Sequence, residues 1–246
     1  MTDPAAYILL FAAGVVAGVI NVLAGGGSFL TLPLLIFLGL PATVANATNR
    51  VGVVVQNITG AWAFHRARAL DWRWALLASV PALVGSALGA WMALRVGDEL
   101  FRRLLAVVMV VITAGTFLAP EPGAGRVRRE AGTWWVMLAF FGIGVYGGFL
   151  QAGVGFLVLA VMSWAGIDLV RANAIKMVTI LLLTLLALAI FAAAGSVLWP
   201  MACALAAGNA IGGVIGAHVA LRQGHRWLRG FVAAMAVVLA IRLWVW

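Results

Sequence analysis

Ten apolar runs follow one another along this chain, at roughly 5–24, 28–40, 42–64, 72–94, 100–118, 132–151, 155–166, 169–194, 198–221 and 227–246. They leave little room for anything except helices in lipid. A helix rises about 1.5 Å per residue, so about twenty apolar residues cross a hydrocarbon core about 30 Å thick. Hydrophobic residues make up 65% of the 246 and charged ones only 9%, too apolar a balance for a soluble domain. The chain therefore reads as all-α, a polytopic membrane helical bundle. Asp3 and the lack of a basic leader make 5–24 a retained helix and not a cleaved signal. Trp72, Trp74, Trp134, Trp135, Trp199, Trp227 and Trp244 fall near run ends, as an interfacial belt would. Cys203, the single cysteine, excludes an internal disulfide and reads as a small core residue.

A net charge of +9 would suggest nucleic acid in a soluble protein. Here the arginines sit mainly between apolar runs, where they orient the chain in a membrane, so no nucleic-acid partner is expected. The charged stretch from Glu121 to Glu130, with Pro120, Pro122, Gly123 and Gly125, is the one linker-like composition. It divides the chain into a repeat at 1–119, a linker at 120–131 and a second repeat at 132–246.

The two halves match. Ala24, Gly25 and Gly27 align with Ala152, Gly153 and Gly155; Asn46 aligns with Asn173 and Trp72 with Trp199. Gly85 and Gly89 align with Gly212 and Gly216, and Arg95 with Arg222. The connection 65–73 carries Arg66, Arg68 and Arg73, whereas its counterpart at 195–198 carries no charge. Placing 65–73, 121–130 and 222–229 in the cytoplasm satisfies the positive-inside bias. Corresponding loops then lie on opposite sides, so the repeats are expected to be inverted, with both termini outside. Inversion needs an odd number of crossings per half. The second run is short, and reads either as a tilted crossing or as the return arm of a re-entrant hairpin.

Within the third run lies Asn46-Ala-Thr48-Asn49-Arg50, with Arg50 about eight residues and therefore about 12 Å in. A guanidinium at that depth is expensive, so it should face protein or a water-filled cavity and mark a substrate path. The second half repeats the placement at Asn173-Ala-Ile-Lys176, with Lys176, the chain's only lysine, opposite Asn49. Two buried cations at corresponding places suggest an anion site. The glycine breaks beside them, Gly25 to Ser28 and Gln151 to Gly155, would bring backbone N–H groups close to a ligand, with Ser28 as an N-cap. Broken helices at a repeat interface are where transporters bind substrate.

Four stretches carry a resemblance: Gly18 to Ser28 (GVINVLAGGGS), Leu32-Pro33-Leu34, Ala45 to Asn49 (ANATN) and Gly147 to Gly155 (GGFLQAGVG). On these the chain resembles the TauE/SafE sulfite exporter or anion permease family over nearly its whole length. The resemblance implies a helical bundle that moves sulfur-containing anions, such as sulfite or organosulfonates, across the cytoplasmic (inner) membrane of a bacterium.

The candidate substrate site is thus Arg50, Lys176, Asn46, Asn49, Thr48, Asn173, Gly26, Gly27, Ser28, Gln151, Gly153 and Asn21. An arginine fork suits two oxygens of a sulfonate or sulfite, and a lysine acts as a point charge. The competing reading is structural: Arg50 capping helix-end carbonyls, and Lys176 snorkelling to the interface. Gln56, Asn57 and Thr59 either line an exit path or bond neighbouring helices. Asp168 and Arg171 read as an ion pair at the membrane boundary. His65, His218 and His225 lack metal spacing, and no nucleophilic triad or P-loop occurs, so neither enzyme chemistry nor a cofactor is expected. All seven acids fall at run ends or in loops, which leaves a buried proton relay without parts. The expectation is an electrogenic alternating-access exporter whose partners are a small anion and the lipid bilayer, with a homodimer left open. An anion channel or an importer of the same fold is the alternative.

Overall fold

The computed structural model describes residues 4–118, 132–222 and 237–244, and the linker 120–131 and Trp227 lie outside them. Among the described residues the chain is helical throughout: α1 (Pro4–Leu23), α2 (Ser28–Phe37), α3 (Ala42–Arg66), α4 (Trp72–Ala93), α5 (Asp98–Leu118), α6 (Thr133–Phe149), α7 (Val154–Trp164), α8 (Leu169–Ala193), α9 (Trp199–Arg222) and α10 (residues 237–244).

Local chemistry sets the ends. Asp71 accepts from Arg73 N at 3.0 Å and Trp74 N at 3.2 Å, starting α4, and Asp168 accepts from Arg171 N at 3.1 Å, starting α8. Each carboxylate satisfies first-turn N–H groups and complements the positive end of its helix. The apolar run 28–40 is longer than α2 because Gly39, at φ 91, turns the chain out of the helix and Pro41 follows. The expected N-cap at Ser28 is not formed. Gly27 holds the cap position in helical geometry without a side-chain cap, and Ser28 Oγ is taken by Asn49.

By length and composition α1, α4, α8 and α9 can each cross a membrane. At 10 and 11 residues, α2 and α7 extend about 15 Å, roughly half a hydrocarbon core. Neither makes a full crossing by itself.

Packing follows the same plan in both halves. α1 lies along α9 as α6 lies along α4; α3 packs on α9 as α8 packs on α4; α3 and α8 meet each other. Each pairing is unchanged when helix n is exchanged for helix n + 5. Glycine seams make the close crossings. A Cβ at Gly85 would run into Phe141 and Val145, and one at Gly212 into Val15 and Gly18. The outer surface carries exposed Trp62, Trp91, Trp134, Trp164 and many aliphatic side chains, whereas Asn46, Asn49, Arg50, Gln56, Asn57, Asn173 and Lys176 are all buried. An apolar surface around a core that also holds these polar side chains is the inverse of a soluble protein's arrangement.

Candidate functional site

The chain breaks twice at corresponding places, between α1 and α2 at residues 24–27 and between α6 and α7 at residues 150–153. The two breaks touch. Gly25 sits at φ 88, and a Cβ there would stand 2.5 Å from the Gly155 carbonyl carbon. A side chain at either glycine would separate the junctions. Phe29 of α2 also lies against Gly153, where a Cβ would come 2.5 Å from the ring.

Arg50 of α3 reaches the second junction. Its Nη1 donates to Gly147 O at 3.0 Å and Gln151 Oε1 at 2.8 Å, and its Nη2 to Gly148 O at 2.6 Å. The guanidinium carbon stands 4.8 Å from the Phe191 ring centroid, and Nε has no partner among the described residues. One turn earlier, Asn46 donates to Phe149 O at 3.0 Å and accepts from Gln151 N at 3.1 Å. Thr184 donates to the same Gln151 Oε1 at 3.4 Å. α3 therefore holds both the end of α6 and the strand of chain that follows it.

Lys176 of α8 does the equivalent work at the first junction. Its Nζ donates to Asn21 O at 3.0 Å, Val22 O at 2.8 Å and Asn173 Oδ1 at 2.7 Å. In both cases a basic side chain rests on the last carbonyls of a helix, where the helix dipole is negative. The start of α2 is tied down separately: Asn49 Nδ2 donates to Ser28 Oγ at 3.1 Å, and Thr31 Oγ1 donates to Asn49 Oδ1 at 2.6 Å.

Ahead of each short helix stand N–H groups that precede its hydrogen-bonded ladder. The first-turn bonds of α2 begin with Phe29 N to Gly26 O and Leu30 N to Gly27 O, and that of α7 with Phe156 N to Gly153 O. Gly26, Gly27 and Ser28 on one side, and Gly153, Val154 and Gly155 on the other, thus present the positive ends of two half-length helices.

Of the twelve residues expected from sequence, ten lie at the two junctions or in direct contact with them, and Asn173 joins the first through Lys176. Thr48 is the exception, since its hydroxyl accepts from Leu198 N at 3.0 Å just ahead of α9. The capping role raised for Arg50 is present in the geometry, and Lys176 caps as well instead of reaching outward. Asp168 and Arg171 pair at 3.3 Å, both exposed. Sequence reasoning missed Thr31, Tyr146, Thr184 and Phe191. Tyr146 Oη donates to Ala152 O and pins the second break. Each reads as an ordinary apolar-helix residue until its distant partner is known.

Among the described residues no acid offsets these charges. Asp71, Asp98, Glu99 and Asp168 are all at least partly exposed, and the ion pairs among the described residues lie at 99–103 and 168–171. A multi-pass helical bundle with a polar, cationic interior built at paired helix breaks is the build of a membrane transporter. The chain matches the Sulfite exporter TauE/SafE family over residues 10–243, and it belongs to that family. It is 28% identical over 239 residues to a probable membrane transporter protein of Haemophilus influenzae, covering 96% of this chain and 93% of the relative. It is 27% identical over 245 residues to the probable membrane transporter protein YfcA of Escherichia coli K12, covering 99% and 91%. A Sinorhizobium relative, the probable membrane transporter protein ORF9, is 25% identical over 247 residues, covering 99% and 95%. No solved structure matches the chain.

Proposed function

We propose that this transporter exports small sulfur-containing oxyanions, sulfite or organosulfonates such as sulfoacetate, by alternating access at the two junctions. The observation that carries the reading is charge: Arg50 and Lys176 are fully buried, and no buried acid accompanies them among the described residues. Two buried cations without an acid partner among the described residues, beside two helix N-termini, favour an anion electrostatically. Arg50 Nε and the leading N–H groups of α2 and α7 supply donors for its oxygens. The chain carries its ligand and does not convert it.

Residues 1–119 and 132–246 form two inverted repeats in this reading, joined by a cytoplasmic linker at 120–131, in the inner membrane of a bacterium. Export needs no buried proton relay, because moving one negative charge out of a negative-inside cell gains about 2.3 kcal/mol per 100 mV. Thermal melting of the purified protein with sulfite, sulfoacetate, taurine, sulfate and thiosulfate tests the proposal. An anion at a hundredfold its Kd stabilises by about 2.7 kcal/mol. Arg50→Gln keeps an amide donor for the carbonyls yet removes the charge, and it should abolish the anion-dependent shift. An undiminished shift would refute the site.

A further inference from the structure

Among the described residues three buried side-chain atoms have no hydrogen-bond partner: Arg50 Nε, Gln56 Nε2 and Asn57 Oδ1. All three belong to α3 and fall within about two turns of it. Elsewhere the interior is bonded: Ser79 Oγ to Ala75 O and Thr179, Asn209 to Leu205 O, Thr184 to Gln151. Buried polar groups without partners are costly and rare. Their confinement to one face-and-flank of one helix points to a common cause.

Seven residues bring the helix round by almost two full turns, so Asn57 lies below Arg50 on the same side, about 10 Å along the axis. Asn57 Nδ2 donates to Val53 O at 2.7 Å, which fixes the amide's sense and leaves Oδ1 as its open end. The backbone at Gln56 packs closely on α9, where a Cβ at Gly213 would stand 2.9 Å from the Gln56 carbonyl oxygen. Small residues flank this strip: Gly52 faces Asn209 of α9, and Gly60 faces Met177 of α8. The strip thus runs down from the Arg50 junction between helices of the second half, with little side-chain bulk to interlock them.

The open groups differ in kind. Arg50 Nε and Gln56 Nε2 donate, which suits oxyanion oxygens. Asn57 Oδ1 can only accept, so whatever meets it must supply a hydrogen. We propose that α3 lines the route between the Arg50 junction and one membrane face, and that Gln56 and Asn57 form a second station on it. The species it takes is a small oxyanion that brings a hydrogen of its own, as an acid O–H or on a bound water. This rests on the exporter reading and extends it.

The test is sulfite efflux from proteoliposomes carrying the full chain, with melting measured in parallel. Gln56→Met removes an unpartnered Nε2 and should melt no lower than wild type, while Asn57→Leu removes the unpartnered Oδ1 together with one bond to Val53 O and should melt close to wild type. Initial efflux should nevertheless fall about tenfold, with the sulfite-dependent melting shift retained. Wild-type efflux in stable variants would overturn the proposal while leaving the exporter reading intact. Absence of any sulfite-dependent shift or efflux in the wild-type protein would remove both. Should either variant not fold, Gln56→Cys and Asn57→Cys in a Cys203→Ser background decide the matter. Labelling by a water-soluble maleimide, blocked by sulfoacetate, supports the route; no labelling from either face refutes it.

Discussion

The two helix breaks solve one problem with different residues. At the second break an arginine from α3 clamps the end of α6 through three acceptors, and Asn46 stitches the following chain to the same helix. At the first break a lysine from α8 clamps the end of α1 through two carbonyls and a neighbouring asparagine. The registers differ as well. The 46-to-173 spacing puts Arg50 opposite Met177 and Asn49 opposite Lys176, so the cation has moved by one residue between the halves. What is kept is the relation: a cation from the third helix of one half on the last turn of the first helix of the other. Asn49, freed from that task, instead ties down α2. The comparison teaches that the cap belongs to the fold, and that residue type and register are how each half achieves it.

The sharpest way to break the comparison is at the point where the halves touch. Gly25→Ala forces a side chain into a left-handed backbone and against Gly155, for a combined cost of about 4 kcal/mol. Size-exclusion profiles should show little folded protein. Removing the caps comes next. Arg50→Leu takes the side-chain donor from Gly147 O and Gly148 O, leaves Gln151 Oε1 only Thr184, and should lower stability by about 3 kcal/mol, read as a lower melting temperature. Lys176→Met, with the flexible point-charge cap, should lose about 2 kcal/mol in the same assay. The double change Asn49→Lys with Arg50→Met gives the first half the register of the second. It should melt between wild type and Arg50→Leu; a melt below Arg50→Leu would mean the registers are not interchangeable. Smallest of all, Arg171→Gln breaks an exposed pair and should shift stability by less than about 0.5 kcal/mol in denaturant titration.

Much of this was legible in the chain itself. The helices follow the apolar runs because length and hydropathy are local properties, and Asn46, Arg50, Gln151 and Lys176 announce themselves as polar residues inside such runs. The shape of the junctions was less legible. Ser28 has the chemistry of an N-cap, but its hydroxyl is claimed by Asn49, 21 residues away. Tyr146, Thr31 and Thr184 gain their roles only through tertiary partners, which periodicity does not encode. That the cations cap helix ends follows from where α6 and α1 stop, and glycine pairs mark those stops without saying which side chain will meet them.

The crossed caps also bear on how the protein is made. Arg50 leaves the ribosome 97 residues ahead of Gly147, the first carbonyl that will receive it. Until α6 and Gln151 have been synthesised, Arg50 lacks every hydrogen-bond acceptor it has in the folded chain. Lys176 faces no such delay, since Asn21 and Val22 are already in place when it emerges. Biogenesis is thereby ordered from the amino terminus, with the late half completing the early one.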